Sequence, residues 1–381
     1  MSTSELTEKS FAEIIAENGG RVFRVGGCVR DSFMGATPKD IDFSVVGMVK
    51  KNFKILFPEA KECGKSFPVF HLAIDGMKRE VAFARTEQKV GSGYKGFKVS
   101  AKPKITIEED LFRRDTTVNS IAQDSLTGEI IDPFHGREDI KNKVLRATSH
   151  HFSDDPMRAL RLAGQASRFG FAIDPETLPL AIAAKEELAD EPVERMLAEL
   201  GKVLSEAQEP GRFFKVLAET NLLQITFTEI ADLSAAEFQR AMAGVDSVAK
   251  ATRNSKLRFA SLGLVLDKER LVLWNNRMTL PGDWLDAALT VSQIIGFLEN
   301  PTPDEIVDTI AKLRRGSLTV EEFDLIITAA GLQMLKLGPL KAAMVLPQGE
   351  VVPKTLQGRE IGDWLREKHI EAIAKQLNAR S

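Results

Sequence analysis

The hydrophobic pattern of this chain changes period once, near residue 138, and that change limits the folds open to it. From about 20 to 135 the apolar residues come in short β-type runs, VFRVGG, DFSVVG, VFHLAI and REVAFAR, separated by turn residues. One helical stretch precedes them, SELTEKSFAEIIAENGG, with apolar residues at helical spacing and a glycine stop. Beyond 138 the segments DDPMRALRLAGQASRFGF, PETLPLAIAAKEELA and EPVERMLAELGKVLSEA carry apolar residues at i, i+3, i+4 and i+7. Helices of mixed quality continue from about 245 to 381, broken at NPTPDE and LPQGEVVPKTLQG. The pattern predicts a small α+β head and an all-α remainder. Within the head, residues 86–104 (TEQKVGSGYKGFKVSAKPK) show little apolar periodicity. Their length, their lysines and the lone Tyr94 predict a mobile functional loop in preference to plain surface.

Composition narrows the class. With 381 residues, 43% hydrophobic and 28% charged, the chain has the make-up of a soluble globular protein of one to three domains. Two cysteines, Cys28 and Cys63, without CxxC spacing argue against a disulfide framework or a structural zinc and fit a reducing compartment. The polar N-terminal segment has no signal-peptide core, and no apolar run is long enough to span a bilayer. A cytoplasmic protein without a membrane partner is expected. The formal charge of −3 does not announce a nucleic-acid binder, yet basic residues gathered on one face would suffice. Composition alone leaves an RNA enzyme and a small-molecule enzyme both open.

Residues 22–46, VFRVGGCVRDSFMGATPKDIDFSVV, carry the most chemistry. A strand runs into Gly26-Gly27, and a helix is predicted to begin at Cys28-Val29-Arg30-Asp31. Glycines at a strand-to-helix turn let backbone approach a polyphosphate, and Arg30 can add a bidentate contact. Asp40-Ile41-Asp42 opens the next strand, where alternation puts Asp40 and Asp42 on one face. Two carboxylates so close repel unless cations lie between them, which a pair of Mg²⁺ ions provides. Glu80, in REVAFAR, is either a third carboxylate from a neighbouring strand or an exposed strand acid. Arg113-Arg114-Asp115 is either a surface ion-pair cluster or a phosphate and ribose clamp. In SDDPMRALR, Ser153 is the expected N-cap and Pro156 lies in the first turn, with Asp155, Arg158 and Leu162 on one stripe and Arg161 further along, a pattern that by itself favours an ordinary intrahelical Asp–Arg pair over a binding edge.

VGGCVRDSFMG…KDIDF resembles the signature of class II tRNA nucleotidyltransferases and the related bacterial poly(A) polymerases, within the polymerase-β-like superfamily. The resemblance continues in order through FPVFHL, EVAFARTE, GSGYKGF, EEDLFRRDTTVNSIAQD, GEIIDPFHGREDIKNKVLRA, DDPMRALR, SRFGF and VERMLAEL, and so covers residues 20 to about 230. GSGYKGF and FPVF are closer to the CCA-adding branch. The resemblance implies a nucleotidyltransferase head over 1–137, a helical neck over 138–240 and a helical body and tail over 241–381. It implies that Arg114 contacts the incoming nucleotide and that Asp115 holds its region together. Asp155 and Arg158 would select the base. Cytosine and adenine both offer an amine donor beside a ring-nitrogen acceptor, which a carboxylate and a guanidinium can read. Gly164, followed by Gln165, stands where the family usually has another arginine, while Arg161 is retained.

Some members of this family carry a C-terminal HD-type phosphohydrolase domain. LRFASLGLVLDKERL resembles the segment holding its His-Asp pair, but Leu264 and Val265 occupy those positions. The histidines are His71, His135, His150, His151 and His369, none of them between 152 and 368, so phosphohydrolase activity is not expected. Residues 312–315 (KLRR), Lys336, Lys341 and Lys354 either meet tRNA phosphates or form a solvated helical surface. The expected function is transfer of C, C and A from CTP and ATP to the tRNA 3′ end with two Mg²⁺ ions. The alternatives are CC-only, A-only or poly(A) output, or a non-catalytic RNA-binding relative. Oligomeric state is not legible. The many phenylalanines (22, against one tyrosine) are expected to be core packing.

Overall fold

A computed structural model describes residues 5–63, 69–91, 96–298, 301–346 and 351–379. It divides into two compact units, residues 1–192 with 219–225, and residues 193–218 with 226–381.

The first unit is built on a mixed sheet in the order β3-β4-β5-β2-β1-β8-β9. Its strands are β1 (Arg21–Val25), β2 (Asp42–Val46), β3 (Lys61–Cys63), β4 (Val69–Ile74), β5 (Met77–Phe83), β8 (Ala122–Asp124) and β9 (Ile130–Ile131). Strands β2 and β5 pair in parallel and the other neighbours antiparallel. Alternation sorts the side chains. Phe43 and Val45 of β2, Val81 and Phe83 of β5, and Phe70, Leu72 and Ile74 of β4 enter one core. That core is closed by Phe11 and Ile15 of α1 (Glu8–Glu17) and by Phe53 of α3 (Lys50–Leu56). Phe53 alone meets Phe57, Phe70 and Phe83 at ring-centroid distances of 5.0, 5.0 and 5.5 Å. Phe11, Phe43, Phe53, Phe57, Phe70 and Phe83 are therefore core packing, as expected, whereas Phe33 and Phe112 are exposed. The opposite face of the same strands carries Asp42 and Ser44, Glu80 and Ala82, and His71.

Helix α2 (Gly27–Phe33) follows the glycine turn, and α4 (Ile107–Phe112) starts in a capping box made by Thr106 and Glu109. Two expectations need correction. Residues 86–104 are not simply a loop: β6 (Thr86–Lys89) and β7 (Phe97–Ser100) form an antiparallel ribbon. Polar anchors hold the ribbon, Glu87 to Arg113 and Lys89 to Glu187, so a search for apolar periodicity passes over it. Tyr94, and Phe67 and Pro68 of FPVF, lie outside the described residues. The second correction concerns the boundary near 137. After α5 (Gly136–Asn142), β10 (Val144–Leu145) pairs in parallel with β11 (Ala172–Ile173), and the Thr117 N–H donates to the Arg146 carbonyl. The Thr117 bond, and the Thr148 N–H donating to the Asp115 carbonyl, fold residues 138–192 with the head.

The second unit is helical. Its core gathers Val248, Leu257, Val291, Ile306, Ile310, Phe323 and Ile327, and Phe259 stacks on Trp284 at 5.2 Å. Arg258, 2% exposed, donates to the carbonyls of Leu204, Ala207, Ala249 and Thr252 at 2.7–2.9 Å. These carbonyls lie at the C-terminal ends of helices Val193–Glu206 and Ala235–Ala251, so the guanidinium supplies donors that both helices lack there. Leu264 and Val265 border a groove of about 1120 Å³ with Leu298, Met334 and Leu335. Lys341 of the basic set is drawn to Glu321 at 2.8 Å. No helix among the described residues is long and apolar enough to cross a membrane.

Candidate active site

Gly26 follows β1 with φ 70° and ψ −126°, a backbone conformation open to glycine and strained for other residues. A second constraint acts on the same position, because a Cβ there would lie 2.8 Å from an Arg114 terminal nitrogen. Arg114 thus lies directly over the turn. The Gly26 N–H donates to Ile121 O at 3.2 Å, so the N–H groups facing outward begin with α2 itself. Arg30, on α2, donates to Asp31 at 2.6 Å and to Asn119 Oδ1 at 2.6 Å, and stacks over Phe169 at 4.4 Å.

Strand β2 begins at Asp42, and Asp40 precedes it in non-strand backbone. Asp42 is the Cα partner of Glu80 on β5, and Glu80 is the partner of His71 on β4, so the three form one cross-strand row. Burial pushes the Asp42 carboxyl up, the Glu80 charge adds to this, Arg114 pulls it back and Asp40 pushes it up again. This is a repulsive acidic cluster that a divalent cation would relieve. Among the described residues no three His, Cys, Asp or Glu side chains converge as a full protein cage requires. Mg²⁺ is ordinarily held by one or two carboxylates together with substrate phosphates and water. The residues therefore fit Mg²⁺ that arrives with a nucleotide.

Beside this row lies a pocket of about 200 Å³ bordered by Asp42, Ser44, Glu80, Arg85, Arg113 and Arg114. Two polar atoms of its lining residues, Ser44 Oγ and Arg114 Nε, are buried with no hydrogen-bond partner among the described residues. Its basic wall is organised by Asp110, 1% exposed, which accepts from Arg113 at 2.7 Å, Arg114 at 3.2 Å and the Arg85 N–H at 3.1 Å. Burial alone would raise the Asp110 carboxyl, but Arg113 and Arg114 beside it hold it below the usual carboxylate range. Glu87 of the ribbon braces the same wall, accepting from Arg85 at 2.9 Å and Arg113 at 3.0 Å.

Helix α6 (Met157–Phe169) carries Arg158 and Arg161. Ser153 is not its cap. Ser149 caps the preceding 3₁₀ turn His150–Asp154, and Asp155 follows in extended conformation (φ −105°, ψ 107°). Pro156 explains this, since the residue before proline is steered away from helical backbone. The Asp155 carboxylate accepts the Met157 N–H at 3.1 Å and so begins the helix that it was expected to lie on. Arg158, 5% exposed, donates to the carbonyls of His151 and Arg113, tying α6 to the end of α4. Asp115 accepts from the Thr116 N–H at 2.8 Å, Asn119 at 3.0 Å and Gln165 at 3.0 Å. Burial pushes its carboxyl up, while Arg161 foremost, the Asn119 and Thr116 hydrogen bonds, and Arg158 bring it below the ordinary value.

The expected catalytic and nucleotide-binding residues thus all fall in the first unit, Asp42 and Glu80 paired on one sheet face, Asp40 just before β2, Arg30 on α2, Arg114 after α4, and Asp155, Arg158 and Arg161 at or on α6; the lysines and arginines of 312–354 lie in the second unit. Sequence reasoning passed over Ser44, Asp110, Glu87 and Asn119, and noted Gln165 without giving it a role. Ser44 was within reach, two positions beyond Asp42 on the same face. Asp110 was too, at three and four positions before the paired arginines.

Residues 22–146 match the family described as poly A polymerase head domain, and 170–233 that described as probable RNA and SrmB-binding site of polymerase A. The chain is 35% identical to a CCA-adding enzyme of Coxiella burnetii, over 93% of this chain and 94% of that protein. It is 32% identical to one of Pseudomonas putida, over 95% and 100%. The Thermotoga maritima CCA-adding enzyme complexed with tRNA shares the fold at a TM-score of 0.69 and 21% identity, over 98% of this chain and 95% of that one. Near-complete coverage at this identity, on a head with acids and arginines so disposed, places the chain in the CCA-adding enzyme family of tRNA nucleotidyltransferases.

Proposed function

We propose that this protein adds C, C and A to the tRNA 3′ end from CTP and ATP with release of pyrophosphate. The observation that carries the reading is the paired Asp42 and Glu80 lying beside the Gly26 turn under Arg114, in a chain matched almost end to end by CCA-adding enzymes. Enzymes of this family are generally metal-dependent. In this reading Asp40 and Asp42 hold two Mg²⁺ ions, with Glu80 as the third carboxylate of the row. When bound, Mg²⁺ lowers the pKa of the attacking 3′-hydroxyl and offsets charge on the phosphates.

The chain's own groups do the rest. Gly26 and Gly27 let the triphosphate approach backbone, with the N–H groups of α2 and Arg30 facing it. Arg114 lies above the same turn, and its Nε and the Ser44 hydroxyl supply polar atoms that a ligand or water oxygen can satisfy. Asp155 accepts from the exocyclic amine of C or A, and Arg158 donates to the adjacent ring nitrogen. A guanidinium carries five N–H donors, and the carbonyls of His151 and Arg113 hold Arg158 at a fixed angle. Guanine and uracil would leave those buried groups unpaired, which is how a protein surface refuses them. Arg161 adds positive charge beside Asp115.

The test uses tRNA transcripts ending before CCA, after C and after CC, each with one of the four nucleoside triphosphates and Mg²⁺. Stepwise C, C, A with GTP and UTP refused is expected. Halting at CC, starting only from CC, or running on with A identifies a narrower relative, and no incorporation sinks the reading. Asp40→Ala is expected to abolish incorporation while leaving the thermal melt unchanged.

A further inference from the structure

Gln165 occupies the segment in which this chain departs from its family's arginine, and it is 2% exposed. A buried carboxamide must find partners for both its ends. Here Nε2 donates to Asp115 Oδ2 at 3.0 Å, and Oε1 accepts from the Thr116 hydroxyl at 2.7 Å. The other Asp115 oxygen takes the Thr116 N–H at 2.8 Å and Asn119 Nδ2 at 3.0 Å. Asn119 then accepts from Arg30 at 2.6 Å. One hydrogen-bonded line therefore runs from α6, through Asp115 and Asn119, to the arginine of the glycine turn.

We infer that Gln165 is a positioning residue for nucleotide binding, setting the Asp115 carboxylate and through it the arginines at both ends of the nucleotide. The inference rests on the functional reading above, in which Arg30 faces the triphosphate and Arg158 the base. The geometry gives each Asp115 oxygen its own partners, so the carboxylate plane is fixed only while Gln165 holds Oδ2. A charged donor in place of this carboxamide would bring a third positive charge to a carboxylate already facing Arg161 and Arg158. A neutral amide holds the same carboxylate without adding that charge. Losing it frees the carboxylate to turn toward those arginines, and Asn119 and Arg30 lose their common reference.

The experiment is steady-state incorporation by the full chain carrying Gln165→Met, which keeps length and apolar bulk and removes both hydrogen bonds. Expected is a rise of about tenfold in KM for CTP and ATP, the scale of one or two buried hydrogen bonds, with KM for tRNA within about twofold. The preference for CTP over UTP should fall in step. A residue that only fills space would lower stability and leave these ratios alone. Thr116→Val releases the other end of the carboxamide and should move the nucleotide KM the same way by a smaller factor. If Gln165→Met does not fold, Thr116→Val decides. Unaltered nucleotide KM and base preference in whichever variant folds overturn the inference. Wild-type protein that incorporates nothing is a separate result, removing the functional reading and this inference with it.

Discussion

Asp110 shows how one side chain can govern a basic wall. Its two oxygens serve Arg113, Arg114 and the Arg85 backbone, so its removal takes the carboxylate from Arg114 and leaves Arg113 leaning on Glu87, in a largely buried setting. Asp110→Asn is expected to destabilise the first unit by about 3–5 kcal/mol, the usual cost of breaking a buried ion pair on one side, measured by denaturant unfolding. The pH dependence has a definite sign. Asp110 and Asp115 both lie below the ordinary aspartate value of about 3.9, so folding favours their ionised forms. That contribution is complete above the unfolded value and is lost as pH falls through the lower folded values. Unfolding midpoints measured from pH 7 downward should therefore decline below about pH 4, and Asp110→Asn should flatten that decline. Asp40, Asp42, the paired glycines and the paired arginines were legible in sequence because their chemistry is local: short spacing, one strand or one turn. Gln165 and Glu87 were not, because each acquires meaning only from a partner brought in by the fold, 50 residues away for Gln165 with Asp115 and 26 for Glu87 with Arg113.

At the scale of elements, the ribbon β6–β7 and the buried Arg258 illustrate two kinds of polar support. The ribbon meets the basic wall through Glu87, which accepts from Arg85 and Arg113, so Glu87→Ala should raise the nucleotide KM several-fold, on the order of tenfold at most. The same substitution should speed amide hydrogen exchange over 86–89 and 97–100, and unchanged exchange would disconnect the ribbon from the wall. Arg258 has a purely structural task. Four carbonyls depend on it, and Arg258→Met should cost about 3–5 kcal/mol, with Arg258→Lys a poor rescue because an ammonium cannot span that fork. Elements were read well where apolar period carried them, as in the head strands and α6. They were misread where polar anchoring replaced it, as in the ribbon, or where proline dictated the backbone, as at Asp155.

For the whole molecule, two compact units imply separable stability. Calorimetry should resolve two transitions, Asp110→Asn lowering one and Arg258→Met the other. A single transition shifted equally by both variants would mean that the units melt together. The change of period near 138 correctly announced a helical remainder, but it could not announce where packing divides the chain, since 138–192 is held to the head by single polar links such as the Thr117 N–H on the Arg146 carbonyl and Thr116 on Gln165. The acidic row has one more implication. Asp42, Glu80 and His71 stand on the reverse of strands whose other side is Phe43, Val81 and Phe70. A slip of one position would turn Asp42, Glu80 or His71 inward and Phe43, Val81 or Phe70 outward, and the head would not assemble. Synthesis thus carries its own proofreading: a copy of this protein that manages to fold has, by folding, already aligned its acids.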